Sequence, residues 1–139
     1  METYTIIGSQ NMVELGREIA PRFQSGDMVW LDGDLGSGKT TLVQGVLAGL
    51  GYEGLVTSPT YTLLEPYSLE NLQVVHMDLY RLKSAEELEM LGIRDFVDES
   101  LCLVEWPTKG AGLLPAWSWS ISLAVLSANS RQVIVEQRQ

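Results

Sequence analysis

Gly33-Asp34-Leu35-Gly36-Ser37-Gly38-Lys39-Thr40 has the spacing of a phosphate-binding loop of the Walker A kind: a glycine, four residues, then Gly-Lys-Thr. The residue types suit an anion. Glycines let successive backbone N–H groups point inward as a nest. Lys39 brings a flexible point charge toward the β- and γ-phosphates of a nucleotide. The Thr40 hydroxyl suits Mg²⁺, and Thr41 is placed to hydrogen-bond a phosphate nearer the base. Such a loop needs a strand leading in and a helix leading out, because the helix N-terminus offers unpaired N–H groups and the positive end of its dipole. Met28-Val29-Trp30-Leu31 reads as a short buried strand. Lys39 to Leu50 reads as a helix, with Leu42, Val43, Val46, Leu47 and Leu50 at helical spacing, closing at Gly49-Leu50-Gly51.

Four further stretches carry side chains suited to a nucleotide site. In Ser58-Pro59-Thr60-Tyr61-Thr62, Thr60 is the candidate to sense a γ-phosphate, with Thr62 second; each is also an ordinary strand residue. Asp78 ends the apolar run Leu72-Gln73-Val74-Val75-His76-Met77, where a carboxylate can join a magnesium shell, orient water, or cap the next turn. Arg81 can contact phosphate or pair with nearby acids, while His76 is assigned no role. Leu101-Cys102-Leu103-Val104-Glu105 is a buried strand ending in an acid, the form of a Walker B element beside Mg²⁺. Trp106 follows it, suited equally to the core, to covering a nucleotide, or to meeting a partner.

The elements that would position these groups follow in order. Tyr4-Thr5-Ile6-Ile7 predicts a strand. A helix follows, with Ser9 as N-cap and Met12, Leu15, Ile19 and Phe23 as its apolar stripe. Tyr61 to Glu65 predicts a strand, Pro66 to Asn71 a turn, and Leu72 to Met77 the returning strand. Ser84-Ala85-Glu86-Glu87 is a capping box opening a short helix that ends at Gly92. Trp117 to Val125 alternates as a half-buried strand, and Val133-Ile134-Val135 returns, with Arg131 at its start. No repeat or linker interrupts the 139 residues, so one domain over residues 1–139 is expected.

Composition narrows the function. The formal net charge of −9 argues against direct, autonomous nucleic-acid binding, which needs a basic surface. The acid gathers between Glu65 and Glu105, where ten Asp or Glu face three Lys or Arg, a net of −7. That stretch suits a solvated face or a surface for a basic partner. No apolar run reaches membrane-spanning length and no secretory signal opens the chain, so a cytoplasmic protein without membrane association is expected. The single cysteine, Cys102, excludes an internal disulfide and reads as a small buried residue.

With these residues in place, the chain resembles the small bacterial ATPase family of the tRNA threonylcarbamoyladenosine pathway, the TsaE/YjeE family. The resemblance rests on Gly33 to Thr41, Ser58-Pro59-Thr60-Tyr61-Thr62-Leu63, His76-Met77-Asp78-Leu79-Tyr80-Arg81-Leu82, Glu86-Glu87-Leu88-Glu89, Gly92-Ile93-Arg94-Asp95 and Val104-Glu105-Trp106, in family order across roughly residues 31 to 107. It implies a P-loop NTPase-like α/β fold, a mixed β-sheet flanked by helices, with ATP and Mg²⁺ at the loop. It implies an accessory ATPase, weak alone, whose hydrolysis of ATP to ADP and phosphate resets a partner complex. Those partners, of TsaD and TsaB type, transfer threonylcarbamoyl to adenosine 37 of tRNA, so tRNA is met only through them. By position, residues 33 to 41 bind the nucleotide, Thr40 and Glu105 hold the metal, and Thr60, Asp78 and Glu105 form the catalytic set. Trp106, Tyr80 and Arg81 form the partner-responsive region, and Ser130-Arg131 stands where the family has Gly-Arg near the base. Two rivals differ in class. A small-molecule kinase would need several arginines around the transferred phosphoryl, and the chain has six in all. A GTP switch would need a guanine-reading Asn-Lys-x-Asp stretch, which the sequence lacks.

Overall fold

The computed structural model describes residues 1–59, 61–110 and 112–139. Seven strands form one sheet: β1 (Glu2–Ile7), β2 (Met28–Asp32), β3 (Leu64–Ser68), β4 (Gln73–Asp78), β5 (Leu101–Glu105), β6 (Trp119–Ser127) and β7 (Ser130–Gln137). Their order is β1-β7-β6-β2-β5-β4-β3. The centre is parallel, β6-β2-β5-β4, and both flanks are antiparallel. This is the mixed sheet expected of the fold, with helices on both faces.

Side-chain alternation assigns each strand residue to a face. Val29 and Leu31 of β2, Val74 of β4 and Leu101 and Leu103 of β5 face α1 (Ser9–Ile19) and α2 (Lys39–Gly49), joining one core. Met28, Val75, Met77, Cys102 and Val104 face the other way, into a second core with Leu88 of α3 (Ala85–Met90) and Ile93. The central strands are apolar on both faces because both are covered. Cys102 is fully buried and burial pushes its thiol up to about 12, in keeping with an inert core residue.

Three local expectations are corrected. The strand expected over Tyr61 to Glu65 begins at Leu64 and runs on to Ser68, so the turn expected over Pro66 to Asn71 narrows to the stretch after Ser68, where Leu69 N–H bonds the Leu72 carbonyl at 2.9 Å. Leu63 N–H closes a turn onto the Pro59 carbonyl at 2.9 Å, and Leu63 itself lies at φ 69°, so the chain cannot extend before Leu64. Pro66 is tolerated inside β3 because β3 is an edge strand with an unpaired side. Ser9 does not cap α1; it is already helical, and Gly8 at φ 82° is the cap. The strand read from Trp117 begins at Trp119. The capping box at α3 is formed, with the Glu87 carboxylate accepting the Ser84 N–H at 3.2 Å.

Helix α2 is held to α1 by backbone contact rather than by large side chains. A Cβ on Gly45 would lie 2.1 Å from the Val13 carbonyl oxygen, and one on Gly16 would lie 2.5 Å from that of Leu42. Since α2 carries the loop's Lys39 and Thr40 at its start, this contact sets where they stand. Gly45→Ala is therefore expected to destabilise the fold by about 1–3 kcal/mol through overpacking, despite alanine's higher helix propensity. Urea unfolding monitored by circular dichroism checks this; an unchanged or raised midpoint would show that the helices can separate freely.

Candidate active site

Parallel pairing brings the chemistry-bearing strand ends together. Leu31 of β2 is the register partner of Glu105 at the end of β5, and Glu105 is the partner of Asp78 at the end of β4. Alternation puts Glu105 on the same face as Leu101 and Leu103, and Asp78 on the same face as Val74. That face is the one beneath the start of α2. Glu105 therefore meets Thr40 across the sheet edge, its Oε2 accepting the Thr40 hydroxyl at 2.9 Å, and Asp78 lines the same cleft.

The loop itself takes the shape its glycines allow. Gly36 and Gly38 lie at φ 77° and 104°, conformations that side-chain-bearing residues rarely adopt. Ser37 is buried, and its hydroxyl has no hydrogen-bond partner among the described residues. Lys39 is buried as well. Its ammonium donates to the Gly33 carbonyl and sits 3.8 Å from the centroid of the Trp106 ring. Burial pulls the Lys39 pKa below the ordinary lysine value, opposed by the charges of Glu105, Asp78, Asp32 and Asp34.

Asp78 accepts two hydrogen bonds at the end of β4. Its Oδ1 accepts the Tyr80 N–H at 3.1 Å, capping the turn, and its Oδ2 accepts the Ser58 hydroxyl at 3.3 Å. It also lines a cleft of about 490 Å³ together with Lys39, Thr40, Arg81, Glu105 and Trp106. The Trp106 backbone lies at φ 56°, a left-handed conformation that costs a non-glycine residue on the order of 1–3 kcal/mol. Its ring leans on Tyr80 with centroids 4.9 Å apart. Thr62 lies outside this cleft, its hydroxyl donating to the Leu64 carbonyl at 3.2 Å. Thr60 lies outside the described residues.

A second cleft, of about 250 Å³, opens beside the loop between Gly8, Ser9, Met12, Thr41, Asn129 and Arg131. Arg131 reaches back to the loop, its Nη2 donating to the Gly36 carbonyl at 3.0 Å. Sequence reasoning gives Thr41 from the loop and Arg131 through resemblance, but no site role to Gly8, Ser9, Met12 or Asn129, which come from both ends of the chain. His76 was also passed over. It is fully buried, with Nε2 2.6 Å from Glu105 Oε2. The signal was available in its spacing: two residues before Asp78 on a strand, it shares that carboxylate's face.

The donor set suits a hard divalent cation. Among the described residues no group of three or more His, Cys, Asp or Glu could hold a metal by itself. Mg²⁺ needs no such cage, since it takes one or two carboxylates, substrate phosphates and water. The Thr40 hydroxyl and the Glu105 carboxylate, oxygen donors of that kind, are joined directly by their hydrogen bond at 2.9 Å.

A family model described as Threonylcarbamoyl adenosine biosynthesis protein TsaE matches residues 7–133. The chain belongs to the TsaE family. Among its relatives, the tRNA threonylcarbamoyladenosine biosynthesis protein TsaE of Treponema pallidum is 37% identical over 128 residues, 91% of this chain and 94% of that protein. The protein of the same name from Haemophilus influenzae is 56% identical over 89 residues, 63% of this chain and 56% of that protein. The crystal structure of Bacillus subtilis YdiB superposes with a TM-score of 0.77 at 27% identity, covering 95% of this chain and 82% of that one. The TsaE match reaches both clefts, since its span runs from before Gly8 to beyond Arg131.

One electrostatic consequence follows. With Glu105 neutralised, less charge opposes the burial of Lys39, so its pKa should fall further. An NMR titration of methyl-labelled lysines, of which the chain has three, is expected to show Lys39 below the ordinary value and lower again in Glu105→Gln. A Lys39 signal unmoved by that substitution would mean the two groups do not share a site.

Proposed function

We propose that the chain is a single P-loop ATPase domain over residues 1–139 that binds Mg²⁺–ATP and hydrolyses it to ADP and phosphate. In this role it is an accessory protein of tRNA N6-threonylcarbamoyladenosine biosynthesis. The single observation that carries the reading is the hydrogen bond from Thr40 to Glu105, which joins the loop's hydroxyl to the end of the neighbouring strand.

The backbone amides from Gly33 to Thr41, with Lys39, hold the triphosphate. Thr40 and Glu105 hold the magnesium ion, which when bound neutralises charge on the phosphate oxygens. Asp78 lies in the same cleft, one register step from Glu105, where a carboxylate can orient water. Thr60 is assigned to the catalytic set with it. The cleft beside Arg131 is assigned the adenine end, because it adjoins the phosphate cleft through Gly36, Ser37, Gly38 and Thr41, which line both. Trp106, Tyr80 and Arg81 ring the mouth of the phosphate cleft, where a docked partner would press on them.

The partners are the transferase proteins of TsaD and TsaB type, with tRNA held by them. The net charge of −9 supports that indirect arrangement. No helix among the described residues is long and apolar enough to cross a membrane, and the proposed place of action is the cytoplasm. A small-molecule kinase is less well supported. Arg81 is the only arginine lining the phosphate cleft among the described residues, whereas phosphoryl transfer to a small acceptor favours several.

Lys39→Ala is expected to lower ATP hydrolysis by about 10²–10³-fold, the usual cost of losing one preorganised charge donor at a reacting phosphate. Phosphate release measured on the isolated protein and again with the transferase proteins tests both halves. Turnover should be slow alone and rise with the partners, and GTP should compete poorly for the site. Intact turnover in Lys39→Ala would refute the site, and full activity without partners would refute the accessory role.

A further inference from the structure

We propose that His76 is a positioning residue for Glu105: its Nε2–H bond turns the carboxylate toward Thr40 and the ion site. The inference rests on the ATPase reading above and adds a residue to it. His76 stands on β4 with its ring on the α2 face, fully buried, between Val74 and Asp78 on that face. Its Cα register partner on β5 is Leu103, two residues before Glu105. From there Nε2 reaches diagonally to Glu105 Oε2 at 2.6 Å.

The geometry separates this role from simple packing. Val74, Leu101 and Leu103 around it on this face are aliphatic, and an aliphatic side chain at 76 would fill the same layer without a polar atom. The ring instead buries two nitrogens. Nε2 has Glu105 as its partner, and Nδ1 has no hydrogen-bond partner among the described residues. One bond, to one carboxylate oxygen, is what the imidazole contributes here. That same oxygen accepts from Thr40 Oγ1 at 2.9 Å. With two donors on Oε2, Oε1 keeps no protein donor among the described residues and stays available to a cation or its water. A glutamate has three side-chain torsions, and the hydrogen bond from the buried ring restricts how they can turn the carboxylate.

The test uses the full chain and two readouts. The protein has one histidine, so isotope-labelled histidine yields a single ring spectrum that needs no assignment. The proton is expected on Nε2 with Nδ1 bare, and Glu105→Gln should shift the Nε2 signal. A proton on Nδ1 alone, or a spectrum blind to Glu105→Gln, overturns the hydrogen bond whatever the nucleotide does. The second readout is the ATP dissociation constant with Mg²⁺ and with a chelator. His76→Gln keeps an N–H at the reach of Nε2, whereas His76→Asn is too short to touch Glu105. The asparagine variant is expected to lose about 10- to 100-fold of the Mg²⁺-dependent gain in affinity, with metal-free binding unchanged and the glutamine variant close to wild type. Equal behaviour of the two variants, or an equal loss with and without Mg²⁺, overturns the positioning role. Wild-type protein that binds ATP no better with Mg²⁺ refutes the ion-site reading itself, so the two failures are distinct.

Discussion

Parallel pairing of β2, β5 and β4 is the constraint on which the candidate site depends. In a parallel ladder the strands run the same way, so their carboxyl ends form one edge. Here Leu31, Glu105 and Asp78 are register neighbours along that edge. A slip of one residue would turn Glu105 toward the opposite core, because strand side chains alternate with a period of two. Register is protected against such a slip by burial on both faces. Leu101 and Leu103 pack toward α1 and α2, while Cys102 and Val104 pack toward α3. Any shift would exchange these sets and expose polar groups to the wrong layer.

The charges at that edge sit in a tense arrangement. Lys39 is buried beneath Trp106, with carboxylates on several sides. Desolvation disfavours the ammonium, and the surrounding acids partly offset it. Trp106 meanwhile holds a backbone conformation that its side chain disfavours. Strain of this kind persists only where neighbouring contacts over-determine it. Tyr80 on one side and Lys39 beneath supply those contacts. The cover over the loop is thus tied to the lysine within it.

The antiparallel flank does separate work. The hairpin of β6 and β7 carries Asn129 and Arg131 up to the loop, and β1 delivers Gly8 and Ser9 beside them. Residues from the two ends of the chain therefore close the cleft next to Thr41. The positive φ of Gly8 gives the sharp turn from β1 into α1 that this closure requires. Two clefts that share Gly36, Ser37, Gly38 and Thr41 follow from a parallel centre extended by antiparallel strands.

The local chemistry of this chain was written in its sequence. A glycine-rich loop between an apolar strand and a largely apolar helix, and acids at the ends of two buried strands, are patterns of adjacent residues. So were the capping box at Ser84 and the buried state of Cys102. The strand over Tyr61 to Glu65 and the cap at Ser9 were misread for a physical reason. Propensity there was overridden by a turn closed onto Pro59 and by a glycine with positive φ. Only the tertiary structure decided that β5 lies beside β2, which sets Glu105 against Thr40 across 65 positions of sequence. It also decided that Arg131 returns to Gly36 and that His76 reaches Glu105. Sheet order and diagonal neighbours arise from how separate strands share one core, and no stretch of residues encodes that alone.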